Sequence, residues 1–387
     1  DHRDLHSFPT RRSSDLDRSM PTARRPGTSG IVVIWNLTNR CNLSCPHCYT
    51  HATPKKLSNE LDTLECKKVI DDMARQKVMV LILSGGEPVL RSDLYDIATY
   101  AQDNGISCAL STNGTLINKL HVEKILKSGI GYVGIIIDGI GDSHDKFRGK
   151  KGAYAASLNA IRLCRDAGLK VGLRLSLTAY TAHEMPEIFE LFEKEKLVKL
   201  YISHLNYSDV SSKNLSLDKK QIRKNMQFVM QKSFAYMDDK NITREIVTGN
   251  NDADGPFLYL SIQKENKQKA KEMYNKLVMI GGNSSGIRLA NIDPLGEVHP
   301  DPFCRGISLG NVRKKTFDKI WQTPDQAFVV SLRDRKKKFH GRCGRCRFID
   351  LCGGNSRARA YAHTGDWWGS DPLCYLTNEE ISGEITE

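Results

Sequence analysis

Nowhere in its 387 residues does the chain approach the roughly 18 to 20 consecutive apolar positions that a membrane span requires. Nor does it show the charged, then apolar, then small-residue layout of a secretory signal. These absences predict a cytoplasmic protein with no membrane partner. Aromatic residues are sparse at 7%, with 4 Trp, and none forms an RNA-stacking motif beside the basic cluster Arg333, Arg335, Lys336, Lys337 and Lys338. That cluster reads as a solvated face, and no nucleic acid is expected. The chain has no Walker loop, no Ser-His-Asp order, no HExxH pair and no internal repeat. The acidic run Asp252–Gly255 places its Gly too early for an EF-hand and has no Glu at the twelfth position.

What is present is enough apolar content, 40% against 26% charged, to bury a large core with a smaller appendage. Lys and Arg number 57 against 45 Asp and Glu, a formal charge of +12 that suits an anionic ligand without choosing one. Eleven cysteines without an export signal argue for reduced thiols in metal or catalytic service, not a disulfide framework. The segment Phe8–Leu16 (FPTRRSSDL) reads as the translation of a sequencing adapter, which makes Met20 the expected native start. Residues 1–29 are accordingly expected to be a disordered lead-in, the first 19 or so artefactual.

From Ile31 onward short β-branched runs alternate with amphipathic stretches. IVVIWNL, VMVLILS, ISCALS, YVGIIID, KVGLRLSLT and VKLYISHL read as strands, and helical patterns at 61–76, 93–104, 116–127, 153–167 and 184–195 lie between them. Such βα units wind into a parallel, barrel-like sheet with ligands at the carboxyl ends of its strands. Cys41, Gly85, Asn113 and Asp138 each follow a strand, so they fall on one rim. A polar helix near 218–240, a loop at Gly249–Pro256 and short strands around 287–298 follow. Residues 295–387, rich in Cys, Gly and Arg, should gain much of their order from metal ligation.

Cys41, Cys45 and Cys48 form a C-x3-C-x2-C set directly after the first strand. Three thiolates leave one iron of a cubane open to an outside ligand, whereas four would close the site. The alternatives are a chance trio or a zinc site borrowing a distant ligand. Near the C-terminus Cys343, Cys346 and Cys352 are spaced C-x2-C-x5-C, with Cys374 beyond them, a set that suits a closed cluster or tetrahedral zinc. Ser84-Gly85-Gly86-Glu87-Pro88 ends the second strand, and there the paired glycines suit close approach of backbone to a ligand. Ser111, Asn113 and Asp138 are polar strand ends that either contact ligand or make turns. Arg174 interrupts an apolar strand, as a carboxylate partner or half of an ion pair. Cys66, Cys108 and Cys164 read as core residues, Cys304 as a buried thiol before a competing fourth ligand or a substrate contact, and His299 and His340 as uninvolved loop histidines before iron ligands.

The run CNLSCPHCY, with GGEP after the second strand, resembles the radical S-adenosylmethionine (SAM) superfamily, and the C-terminal cysteines resemble its SPASM module. The resemblance implies an α/β fold: a partial (β/α)6 TIM-like barrel over 30–210, a connecting substrate region over 211–294, and a small SPASM or twitch-like iron-sulfur domain over 295–387. It implies a SAM-binding 4Fe-4S cluster on Cys41, Cys45 and Cys48, which serve as the catalytic residues. It also implies a second, auxiliary 4Fe-4S cluster on Cys343, Cys346, Cys352 and Cys374. SAM would contact His47, Gly85, Gly86, Glu87, Ser111, Asn113, Asp138 and Arg174. The full SPASM pattern continues with a cysteine where this chain has Ser356, so no second auxiliary cluster is expected.

NLTNRCNLSCPHCY, IVTGNNDADGP, SLGNV, CGGN and DPLCYLTNEE together resemble the NirJ-type proteins of haem d1 biosynthesis. That likeness implies a 5'-deoxyadenosyl radical that removes propionate side chains from an anionic, didecarboxysirohaem-type tetrapyrrole. Electrons would come from a reductase with flavodoxin or ferredoxin, and the Gly249–Pro256 loop would touch substrate. A side-chain decarboxylase of the sirohaem-dependent haem route and a SPASM-type peptide maturase are the alternative readings.

Overall fold

The computed structural model describes residues 7–8, 30–207, 213–238, 244–324 and 327–383. Its strands are β1 (Ser7–Phe8), β2 (Ile31–Asn36), β3 (Val78–Ser84), β4 (Ser107–Thr112), β5 (Tyr132–Ile136), β6 (Val171–Leu177), β7 (Lys199–His204), β8 (Glu245–Gly249), β9 (Leu289–Ile292), β10 (Glu297–His299) and β11 (Gly310–Asn311). They join in one sheet ordered β1-β8-β7-β6-β5-β4-β3-β2-β9-β10-β11. From β2 to β8 every neighbour is parallel, and β9 continues the parallel run beside β2. β2 and β8 do not pair with each other, so the barrel stays open.

Parallel strands need long crossovers, and helices supply them. These are α1 (Thr63–Arg75), α2 (Leu94–Asp103), α3 (Lys119–Lys127), α4 (Asp142–Arg148), α5 (Ala153–Asp166), α6 (Met185–Lys194) and α7 (Lys219–Asp238). Local chemistry sets their starts. Asp62 and Glu65 form a reciprocal capping box on α1, and Asn118 caps α3 by accepting from His121 N. Between helices and sheet lie Trp35, Ile70, Met73, Leu81, Ile97, Ile161 and Phe189, all fully buried. Cys66, Cys108 and Cys164 belong to this core, as their apolar surroundings predict.

Three details differ from the sequence reading. Gly249–Pro256 is not a loop throughout, because α8 (Asp254–Glu265) starts inside it, with Pro256 in the first turn where its missing N–H is harmless. The parallel run, expected to hold six or seven strands, holds eight among the described residues, because β8 adds to β7 and β9 pairs parallel with β2. Of residues 1–29, Ser7–Phe8 pair antiparallel with Ile246–Val247, and the rest of the expected lead-in lies outside the described residues. Among the described residues no helix is long and apolar enough to cross a membrane.

The C-terminal segment consists of short helices pinned to the strand ends. Arg359 and Asp371, both fully buried, pair at 2.7 Å. The same guanidinium donates to the carbonyls of Leu205 and Asn250 at 2.9 and 3.0 Å, just past β7 and β8. A buried cation with this many acceptors fixes the segment against the mouth of the sheet.

Candidate active site

A cavity of about 440 Å³ opens at the carboxyl ends of the parallel strands, where the sequence pattern puts the rim. Cys41, Cys45, His47 and Cys48 line it from the loop after β2. Gly85 and Gly86 follow β3, Ser111 and Asn113 come from β4, and Arg174 from β6. The spread of these residues across four strands is what a closed pocket needs and what a linear motif alone cannot supply.

Burial pushes Cys41 up to about 11, with the neighbouring Cys45 and Cys48 adding to the rise, and burial raises Cys45 as well. Metal ligation requires thiolates. The opposing influence is Arg148, at the end of α4, whose Nη1 donates to Cys45 Sγ at 3.2 Å and lowers the Cys45 pKa. Three thiols with a buried cation behind them fit a cubane with one iron left open.

Of the GGEP segment, Gly85 and Gly86 line the cavity and Glu87 lies behind it. The Glu87 carboxylate is fully buried and does not line the cavity. It accepts from Val89 N (3.1 Å), Thr112 Oγ1 (2.7 Å) and Asn113 N (2.8 Å), so its oxygens are spent on the protein. It holds Asn113 in place, and Asn113 in turn donates to Asn42 Oδ1 at 3.0 Å inside the cysteine loop. The glycines make room for backbone: a Cβ on Gly85, at φ +153°, would stand 2.7 Å from Thr38 O, and one on Gly86 would stand 2.3 Å from Arg40 O. Gly86 N and Glu87 N donate to those same two carbonyls. A Gly86→Ala variant must therefore displace the residues just before Cys41. A shift of this kind near reacting atoms costs roughly a hundredfold in rate, which assays of SAM cleavage would read.

Asp138 is placed in the same way. It too is fully buried and absent from the cavity wall. Its Oδ2 forms an ion pair with Arg148 Nη2 at 2.7 Å, and its Oδ1 accepts from Ser176 N at 2.6 Å. It is reached by a residue from another element, which the strand-end pattern could not show. His47 stacks on Phe147 at 4.6 Å and lies 3.3 Å from Ser176 Oγ, and burial lowers its pKa to about 4, so it is neutral at pH 7. Arg174 lies over the Tyr201 ring at 4.5 Å.

Cys343, Cys346, Cys352 and Cys374 come together at the C-terminus. Cys352 feels the charges of the other three, and burial drives it well above the usual thiol range. Arg342 Nη1 donates to Cys374 Sγ at 3.1 Å, the counterpart of Arg148 at Cys45. Ser356 instead caps the helix Arg357–Thr364 and donates to Asn206 Oδ1 at 2.9 Å. Cys304 is a buried thiol whose Sγ lies 3.5 Å from Asp301. Among the described residues no three His, Cys, Asp or Glu groups converge as one metal ion would require; ligands of a cubane each hold a separate iron and need not.

His299 is buried against the carbonyl of Ile307, while His340 is exposed beside Asp366. Neither lines the cavity, although Gly249, Asn250 and Asp252 do. Sequence reasoning missed Arg148, for which no spacing rule exists.

The Radical SAM superfamily matches residues 35–192 and the SPASM iron-sulfur cluster-binding domain matches residues 285–347. The chain is 41% identical to the Fe-coproporphyrin III synthase of Methanosarcina barkeri, over 90% of this chain and 89% of that protein. It is also 41% identical to the pre-heme d1 synthase of Dinoroseobacter shibae, over 93% and 90% respectively. The structure of Streptococcus suis SuiB bound to S-adenosylmethionine superposes with a TM-score of 0.68 at 15% identity, covering 90% of this chain and 78% of that one; this likeness concerns the fold alone. The chain belongs to the radical SAM superfamily and its SPASM-containing branch, as an enzyme that uses SAM, a 4Fe-4S cluster and an auxiliary iron-sulfur centre.

Proposed function

We propose that this enzyme removes carboxylate-bearing side chains from an iron tetrapyrrole, in the form of propionate loss from a didecarboxysirohaem-type substrate. The observation that carries the reading is that two relatives, each 41% identical over nine-tenths or more of this chain, are both named for tetrapyrrole products. A cavity of about 440 Å³ at the strand ends supports it. An excess of basic residues suits a polycarboxylate, because guanidinium pairs well with carboxylate.

In this reading Cys41, Cys45 and Cys48 hold the SAM-binding cluster, and Cys343, Cys346, Cys352 and Cys374 hold the auxiliary one. Together the first cluster and SAM supply, when bound, a 5'-deoxyadenosyl radical that takes one hydrogen atom from a substrate carbon. The chain's own groups position and exclude. Arg148 offsets thiolate charge at Cys45, and Asp138 holds Arg148. The stacked rings of His47 and Phe147 offer a flat wall that suits a purine. Glu87 keeps Asn113 against the cysteine loop, and Arg174 takes a carboxylate of SAM. Orientation and exclusion of water are the protein's share of such chemistry. An acidic flavodoxin or ferredoxin suits the +12 chain as electron donor.

The test is mass analysis of the tetrapyrrole after anaerobic turnover with didecarboxysirohaem. Loss of two propionate side chains is expected. Loss of acetate side chains instead would reject propionate as the group removed, and an unchanged tetrapyrrole alongside SAM cleavage would reject the reading.

A further inference from the structure

Successive residues of a strand face opposite ways, so alternation shows which side chains turn into the barrel. On β7, Tyr201 and Ser203 are partly exposed and line the cavity, between buried Leu200, Ile202 and His204. On β6, Arg174 and Ser176 alternate in the same way with buried Leu173, Leu175 and Leu177. Arg174 and Tyr201 are register partners, and the guanidinium lies flat over the phenol ring at 4.5 Å.

Glycines on the neighbouring strands make room for both side chains. A Cβ on Gly249 would stand 2.0 Å from the Tyr201 hydroxyl, and one on Gly134 would stand 2.8 Å from Arg174 Cδ. The hydroxyl therefore leans toward β8, the side away from β2 and the cysteine loop it leads into. Among the described residues neither the hydroxyl nor the guanidinium has a hydrogen-bond partner, and neither is sealed in the interior. Burial raises the Tyr201 pKa, so the phenol keeps its proton at pH 7 and is a donor. The charges of Arg174 and Asp252 both reach it, Arg174 the more strongly. An unpartnered O–H beside a cation, both facing a cavity, is an arrangement that takes an anion with oxygen acceptors.

We propose that the Tyr201 hydroxyl donates a hydrogen bond to a carboxylate of the tetrapyrrole substrate, with Arg174 beside it supplying the attracting charge. The inference rests on the tetrapyrrole reading above and adds a residue that places one side chain of the macrocycle. SAM carries a carboxylate too, but the lean of the hydroxyl toward β8 favours the substrate as its source. Tyr201 meets Arg174 through the flat face of the guanidinium, which leaves the N–H edges for SAM. A carboxylated side chain held on Tyr201 thus lies next to the residue that takes SAM, where a radical formed from SAM needs its target.

The experiment uses the anaerobically reconstituted full chain with three separate probes: Fe-coproporphyrin III, its tetramethyl ester and SAM. Absorbance titration gives the two tetrapyrrole affinities, and calorimetry gives that of SAM. Tyr201→Phe removes one oxygen and keeps the ring under Arg174. It should weaken Fe-coproporphyrin III by roughly ten- to a hundredfold, the range for a hydrogen bond to a charged group. Binding of SAM and of the ester should be unchanged. Gly249→Ala, whose new Cβ displaces the hydroxyl, should weaken the same probe and spare the same two.

Unchanged binding of Fe-coproporphyrin III by Tyr201→Phe would overturn the proposal and leave the tetrapyrrole reading intact. A loss confined to SAM would overturn it as well, by giving the hydroxyl to the other carboxylate, and so would an equal loss for the acid and its ester. Failure of the wild type to bind Fe-coproporphyrin III would remove the tetrapyrrole reading, and this inference with it.

Discussion

A Cys45→Ala variant is expected to release no 5'-deoxyadenosine above background while retaining the irons of the auxiliary centre, roughly four per chain for one cubane. The reasoning is local. Cys45 is the middle member of the trio, and it alone receives the Arg148 hydrogen bond, at 3.2 Å. Its removal takes a ligand and leaves a buried guanidinium facing a void. The C-terminal thiols are held by their own elements and by Arg342, which bonds to Cys374, so they should be unaffected. Iron and sulfide counts beside a SAM-cleavage assay read both halves of the expectation. Loss of all iron would mean that the two centres fold as a unit.

The second large effect concerns stability. Asp138 is fully buried and faces Arg148, which is 5% exposed, at 2.7 Å. Asp138→Asn leaves an uncompensated cation in the interior, at a cost of about 3–5 kcal/mol, a large share of the ~5–15 kcal/mol that holds a typical domain together. Urea unfolding of the apo protein should show the loss. In the double variant Asp138→Asn/Arg148→Met much of it should return, because the stranded charge is gone. The double variant would still lack the cation behind Cys45, so stability and cluster retention should separate.

The parts legible in the sequence are those governed by short-range periodicity and ligand spacing. Both cysteine sets could be read because their chemistry demands particular residue types at close spacing, and the strands because β-branched runs repeat between helical patterns. The direction of a polar strand end could not be read. Glu87 bonds to backbone and Thr112, and Asp138 pairs with an arginine ten residues later on α4, partners that no strand-end pattern announces. A carboxylate in a loop serves a ligand, a cap or an ion pair equally well, and the choice is made by elements distant in sequence. Gly85 and Gly86 line the cavity, and the sequence could not show that they also make room for the backbone at Thr38 and Arg40. Pro256 in the first turn of α8 carried a helix-start signal that the surrounding Gly and Asn obscured.

The measurement that most directly tests the central claim is anaerobic reconstitution of the full chain, with iron and sulfide counted and SAM cleavage followed with and without didecarboxysirohaem. About eight irons per chain, for two cubanes, are expected, together with 5'-deoxyadenosine release that rises when the tetrapyrrole is added. Zinc in place of iron with no SAM cleavage would contradict the assignment of both cysteine sets, and two clusters whose SAM cleavage ignores the tetrapyrrole would contradict the substrate.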